Sequence, residues 1–90
     1  MVAFQDINPQ APVHMVIIPK AHIARLTDLN QSHAAIIANL ILTANELARN
    51  LKIADGGYRL VMNCNTAGGQ TMYHLHLHLL GGRQMHWPPG

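Results

Sequence analysis

Three histidines alternate with leucines in Tyr73-His74-Leu75-His76-Leu77-His78-Leu79-Leu80, and no charged residue interrupts them. Imidazole ordinarily titrates close to neutral pH. A cluster of imidazoles can therefore offer a base, an acid and a nucleophile in one place. In a strand, side chains alternate between faces, so His74, His76 and His78 would share one face and Tyr73, Leu75, Leu77 and Leu79 the other. Neighbours on one face sit roughly 6.5–7 Å apart along the backbone, close enough for three imidazoles to surround a small anion or a metal ion. Incidental polar residues on a wet sheet face would account for one histidine. They account poorly for three in strict alternation.

Two chemistries suit the pattern. His-x-His on a strand is a pair of zinc ligands, with His14 as a further ligand. Against zinc, the only acids are Asp6, Asp28, Glu46 and Asp55, none near the triad in sequence to orient the ligands. The second chemistry is attack on phosphorus. A neutral imidazole attacks, while a neighbouring one stabilises charge or protonates a leaving group. Gly68-Gly69-Gln70-Thr71 would add backbone N–H groups and a hydroxyl for phosphoryl oxygens.

The elements that must position these residues are legible in the periodicity. Met1–Ile7 alternates as a strand, with Val2 and Phe4 on one face. Asn8-Pro9-Gln10-Ala11-Pro12 is a turn, and His14–Ile18 a β-branched second strand that Pro19 ends. From Gln31 to Leu51 the period is helical, with Ile36, Ile37, Leu40, Ile41, Ala44, Leu47, Ala48 and Leu51 on one face. Asn30 or Ser32 caps its start, Arg49 and Lys52 suit its C-terminal dipole, and Gly56-Gly57 stops it. Tyr58–Asn63 and Met72–Leu80 are the third and fourth strands, with a glycine loop from Asn65 to Gln70 between them. The order β-β-α-β-β implies one α+β domain over residues 1–90: an antiparallel sheet of about four strands, with the helix on its leucine face.

Charged residues make up only 11% of the chain, against the usual ~25%, and the formal net charge is +2. Scattered basic residues form no stripe for nucleic acid. A surface this poor in charge favours self-association. Cys64 is the only cysteine, so no internal disulfide forms; a small strand residue is its expected role. No signal-peptide pattern opens the chain, and no apolar run approaches the ~18 residues of a membrane span. A soluble cytoplasmic protein is the expectation.

His74-Leu75-His76-Leu77-His78-Leu79-Leu80 matches His-x-His-x-His-x-x with apolar x, the pattern of the histidine triad superfamily. The likeness extends to Asp6–His14, Ile18-Pro19-Lys20, His22-Ile23, Gly57-Tyr58-Arg59, Gly68-Gly69-Gln70 and the ending Gly81–Gly90. Nearly the whole chain resembles the histidine triad nucleotide-binding protein branch. The resemblance implies a purine nucleoside phosphoramidase needing no metal or other cofactor, and working as a homodimer. It implies His76 as nucleophile, forming a nucleotidyl-imidazole that water hydrolyses. His78 would bind phosphate near the leaving group, and His74 and His14 would orient the nucleophile. Asn63, Gly69, Gln70 and Thr71 would contact phosphate, Thr71 standing where relatives often have Ser. Asp6 would hold the ribose, with Phe4 and Ile7 along the nucleoside pocket; on sequence alone Asp6 equally suits a turn cap. Trp87, beside His86, would reach the partner subunit's site, although a tail docked for stability reads the same way. His22 and His33 read as surface residues.

Relatives carry an N-terminal helix and another strand before the part matching Met1–Ile7. The chain thus resembles a shortened start. An open base pocket and an unpaired first-strand edge prone to strand exchange are the expectations. Two alternatives stand beside the enzyme: a purine-nucleotide-binding or interaction domain without turnover, and a zinc-binding module built on the strand histidines.

Overall fold

A computed structural model describes residues 1–90. Four strands, β1 (Val2–Gln5), β2 (Val13–Ile18), β3 (Tyr58–Val61) and β4 (Leu77–Gly81), form one sheet in the order β1-β2-β4-β3. Every pairing is antiparallel. One long helix, α1 (Ala34–Asn50), packs on one face, giving the α+β architecture that the periodicity predicts.

Alternation places Leu75, Leu77 and Leu79 in the core with Ile17, Leu40, Ala44 and Ala48. Ile17, Leu40 and Leu79 are its largest fully buried side chains. On α1 the fully buried positions form a narrow ridge, Leu40, Ala44 and Ala48, at four-residue spacing, with Ile36, Ile37 and Leu47 partly buried against the core. The small alanines let the helix sit close to the sheet. Ile41, about 100° further round the helix, falls off that ridge. Ile41 and Leu51, expected on the buried face, are 44% and 41% exposed. Tyr73, expected with the leucines, is also exposed, and Arg25 lies over its ring. The buried leucine face begins at Leu75, and β4 itself begins only at Leu77, later than the predicted Met72. Its partner β2 runs out at Ile18, where Pro19 has no N–H to continue a ladder.

Capping follows the sequence at one end of the helix and departs from it at the other. A 3-10 turn, Gln31–His33, leads into α1. The Asn30 side chain accepts from Ser32 N–H at 2.9 Å, and His33 Nδ1 accepts from Asn30 N–H at 3.0 Å. His33 thus closes a capping box and is more than a surface residue. The helix ends before Gly56-Gly57. Lys52 adopts a left-handed backbone (φ 62°), with Ile53 N–H on Ala48 O at 2.9 Å and Lys52 N–H on Arg49 O at 3.1 Å. This is a Schellman motif, and Ile53 packs on Ala48 as the motif's apolar contact. No glycine marks the stop, so the sequence hides it.

β1 forms one edge of the sheet, and all four of its residues are exposed. Cys64 lies past the end of β3, so it is a loop residue and not a strand residue. No helix is long and apolar enough to cross a membrane.

Candidate active site

The sheet face opposite α1 carries the chemistry. Val16 of β2 pairs with His78 of β4, and His14 pairs with Leu80, so register alone brings His14 and His78 to one face on adjacent strands. His14 Nε2 and His78 Nδ1 are 2.9 Å apart. Their proton positions follow from their other partners. His14 Nδ1 accepts the Gln10 N–H at 3.0 Å, so the His14 proton sits on Nε2 and is donated to His78 Nδ1. The His78 proton is then on its own Nε2. Asp6 Oδ2 lies 3.6 Å from His14 Nε2, beyond hydrogen-bond range, and acts as a nearby charge. The other Asp6 oxygen accepts from Asn8 N–H at 2.8 Å, so Asp6 does cap the turn while also lining the cavity described below.

His76 is fixed differently. Its Nδ1 is 2.8 Å from the carbonyl oxygen of His74. A carbonyl only accepts, so His76 carries its proton on Nδ1 and keeps a free lone pair on Nε2. The His76 and His78 ring centroids are 4.9 Å apart. One imidazole with an open lone pair therefore stands beside another with a donor N–H.

A cavity of about 420 Å³ opens on this pair. His76, His78, Asn63, Gly69, Gln70 and Thr71 line it, and Phe4, Asp6 and Ile7 line it too. Ile7 is fully exposed and forms rim, not wall. Two lining residues escape the sequence reading, Val16 and Met72. Counting two residues on from His14 along β2 would have found Val16.

Four predicted site residues sit elsewhere or act otherwise. His14 is off the cavity lining and meets His78, not the His76 it was expected to orient. His74 does not line the cavity. Its Nε2 donates to Pro19 O at 3.2 Å and its ring meets His22 edge-on, so it reaches His76 only through its carbonyl. His22, read as a bare surface residue, is its packing partner. Gln70 is buried, and its amide is fully engaged by backbone. It accepts from Asn65 N–H at 2.9 Å and donates to Ala24 O at 2.9 Å and Met72 O at 3.0 Å. It supports the loop and has no side-chain donor left for a ligand. Trp87, expected at the partner subunit's site, is 83% exposed and does not line the cavity of its own chain. The glycine loop also uses N–H groups that the sequence reading assigned to phosphate: Gly69 N–H goes to Thr66 O and Gln70 N–H to Asn65 O, each at 3.0 Å. What Gly69 offers is a left-handed turn (φ 83°) with nothing within 4 Å of where a Cβ would stand, hence close approach.

Burial pushes His78 below the ordinary histidine range, His76 and then His14 push the same way, and Asp6 alone pulls upward. The folded chain therefore prefers neutral His78, whereas the unfolded chain takes up the proton below about pH 6.5. Stability from this group is undiminished above that pH and falls as pH drops through the lowered folded value. Urea midpoints measured from pH 7.5 to 5 should fall, and His78→Asn should flatten the slope. An identical slope in both proteins would exclude His78 as its source.

Known proteins match nearly the whole chain. The HIT domain family model matches residues 1–85. An uncharacterized HIT-like protein of Synechococcus elongatus is 51% identical over 89 residues, covering 99% of this chain and 77% of that protein. The crystal structure of a HIT family hydrolase from Legionella pneumophila is 56% identical, with a TM-score of 0.96 over 98% of this chain and 79% of that one. A histidine triad nucleotide-binding protein from Candida albicans is 28% identical, with a TM-score of 0.74 over 96% and 66% of the two chains.

Proposed function

The chain belongs to the HIT domain family, and on that footing we propose that it is a purine nucleoside 5′-phosphoramidase. The observation that carries the reading is the 2.8 Å approach of His76 Nδ1 to the His74 carbonyl oxygen, from which its tautomer follows. Its Nδ1–H is tied to a carbonyl, and its Nε2 lone pair is free on a ring that lines the cavity. In the proposed reaction Nε2 attacks phosphorus, and the P–N bond electrons leave with nitrogen. That nitrogen takes a proton from solvent and departs as an amine. Water then attacks the nucleotidyl-His76, releasing the purine monophosphate and restoring the imidazole. His78 donates its Nε2–H to the phosphoryl group, joined by Thr71 and Asn63, and Gly69 permits close approach. Asp6 takes the ribose hydroxyls, and Phe4 and Ile7 flank the base. The hydrolase relative from Legionella and the nucleotide-binding relative from Candida support this class of reaction. The reading includes cytoplasmic residence and a homodimer, with Trp87 of one copy at the other copy's cavity; a doubled mass in light scattering tests the dimer.

One observation favours a second reading. Ligand atoms of Asp6, His14 and His78 all lie within 4.8 Å of one another, a set that could hold zinc. The carboxylate absent from the triad's sequence neighbourhood is supplied across strands by Asp6. A single experiment separates the readings. Adenosine 5′-phosphoramidate bearing a fluorescent amine is mixed with the protein in excess chelator. The enzyme releases amine; a binding-only domain takes up AMP without release; a zinc module loses its function to chelator.

A further inference from the structure

The turn that carries the nucleophile is not held by the sheet. Residues 71–76 precede β4, and their ties run to Pro19–Arg25, the segment after β2. His74 bonds to Pro19 O, Leu75 N–H donates to Ile23 O at 2.6 Å, and Gln70, just before the turn, donates to Ala24 O. Arg25 ends this brace with three contacts. Its Nε donates to Asp28 Oδ2 at 3.3 Å and its Nη1 to Asn65 Oδ1 at 3.2 Å, while its guanidinium carbon lies 5.9 Å from the centre of the Tyr73 ring. Asn65 opens the loop that contains Gly69 and Thr71, and Tyr73 closes it. Arg25 therefore spans the neck of that loop.

We propose that Arg25 is a positioning residue for the phosphate subsite. By clamping Asn65 to Tyr73 it holds Gly69 and Thr71 at the spacing a phosphoryl group requires, without touching the ligand. This rests on reading Gly69 and Thr71 as phosphate contacts. A planar guanidinium suits the task, since it covers a ring with its face while its edge donates in two directions. Lysine offers the charge without the fork. Each contact is partly exposed and weak alone. Their target is a loop with adjacent glycines, whose backbone freedom is large, so the clamp is felt in ligand binding more than in stability.

The test is calorimetric titration of AMP and of adenosine into the wild type, Arg25→Met and Arg25→Lys. Arg25→Met should weaken AMP about tenfold, the scale of a lost charge-assisted contact, and move adenosine by less than about twofold. Arg25→Lys should fall with Arg25→Met. Asn65→Gly keeps the left-handed backbone (φ 59°) but removes the acceptor. It should give the same loss, and combining it with Arg25→Met should add nothing. An unchanged AMP-to-adenosine ratio in Arg25→Met overturns the inference, as does full AMP affinity in Arg25→Lys. A wild type that binds AMP no better than adenosine overturns both this inference and the phosphate-site reading beneath it.

Discussion

His76→Ala should lower amine release from adenosine 5′-phosphoramidate by at least about 10⁴-fold, the scale on which losing a covalent nucleophile is felt. AMP binding should survive within about tenfold, because Asn63, Thr71, His78 and Asp6 remain in the cavity. The size of the loss follows from the tautomer. No other imidazole on this face has both an open lone pair and a place in the cavity. His14 has one nitrogen on Gln10 N–H and the other on His78, and His78 accepts at Nδ1 and is protonated at Nε2. His74 lies outside. If His76 only helped bind phosphate, the variant would lose affinity and turnover together. The split between retained binding and lost turnover identifies a group whose interaction exists only along the reaction path. Turnover within tenfold of the wild type would remove His76 from the nucleophile's role and direct attention to the Asp6, His14 and His78 set.

Short-range signals carried most of the positions above. Alternation put Leu75, Leu77 and Leu79 in the core, and helical period gave α1 within three residues at its start. The triad pattern named cavity residues from four separate segments. What stayed hidden depends on contacts between residues far apart in sequence. Gln70 looks like a loop donor until Ala24 and Asn65 are seen to occupy it. His74 looks like a triad equal until Pro19 and His22 draw it away. β4 loses its predicted first residues because Pro19 ends the strand that would have paired with them. The helix stop is hidden for a local reason: Lys52 takes the left-handed backbone that glycine usually marks. A polar residue's type thus says what it can do, and its long-range partners decide whether it is free to do it.

Gly68→Ala provides the second large effect, and it tests the loop separately from the chemistry. An ideal Cβ on Gly68 would overlap the carbonyl oxygen of Cys64 and stand 2.8 Å from the Cys64 amide nitrogen. Both obstacles are backbone, so no rotamer relieves them and residues 64–70 must move. Overpacking of this kind costs about 1–3 kcal/mol, which a urea midpoint would register. The displacement also shifts Gly69 and Thr71, so AMP affinity should fall about tenfold or more while adenosine is affected less. Gly69→Ala is the natural comparison. Its Cβ would meet nothing within 4 Å, and its cost is the positive φ of 83° alone, about 1–2 kcal/mol for an L residue. Steric and conformational contributions therefore separate at adjacent positions. Equal AMP binding by wild type and a folded, destabilised Gly68→Ala protein would mean that the loop does not touch phosphate. The anion would then rest on His78 and Asn63, and the glycines would serve only to let the chain double back from β3 to the turn that presents His76.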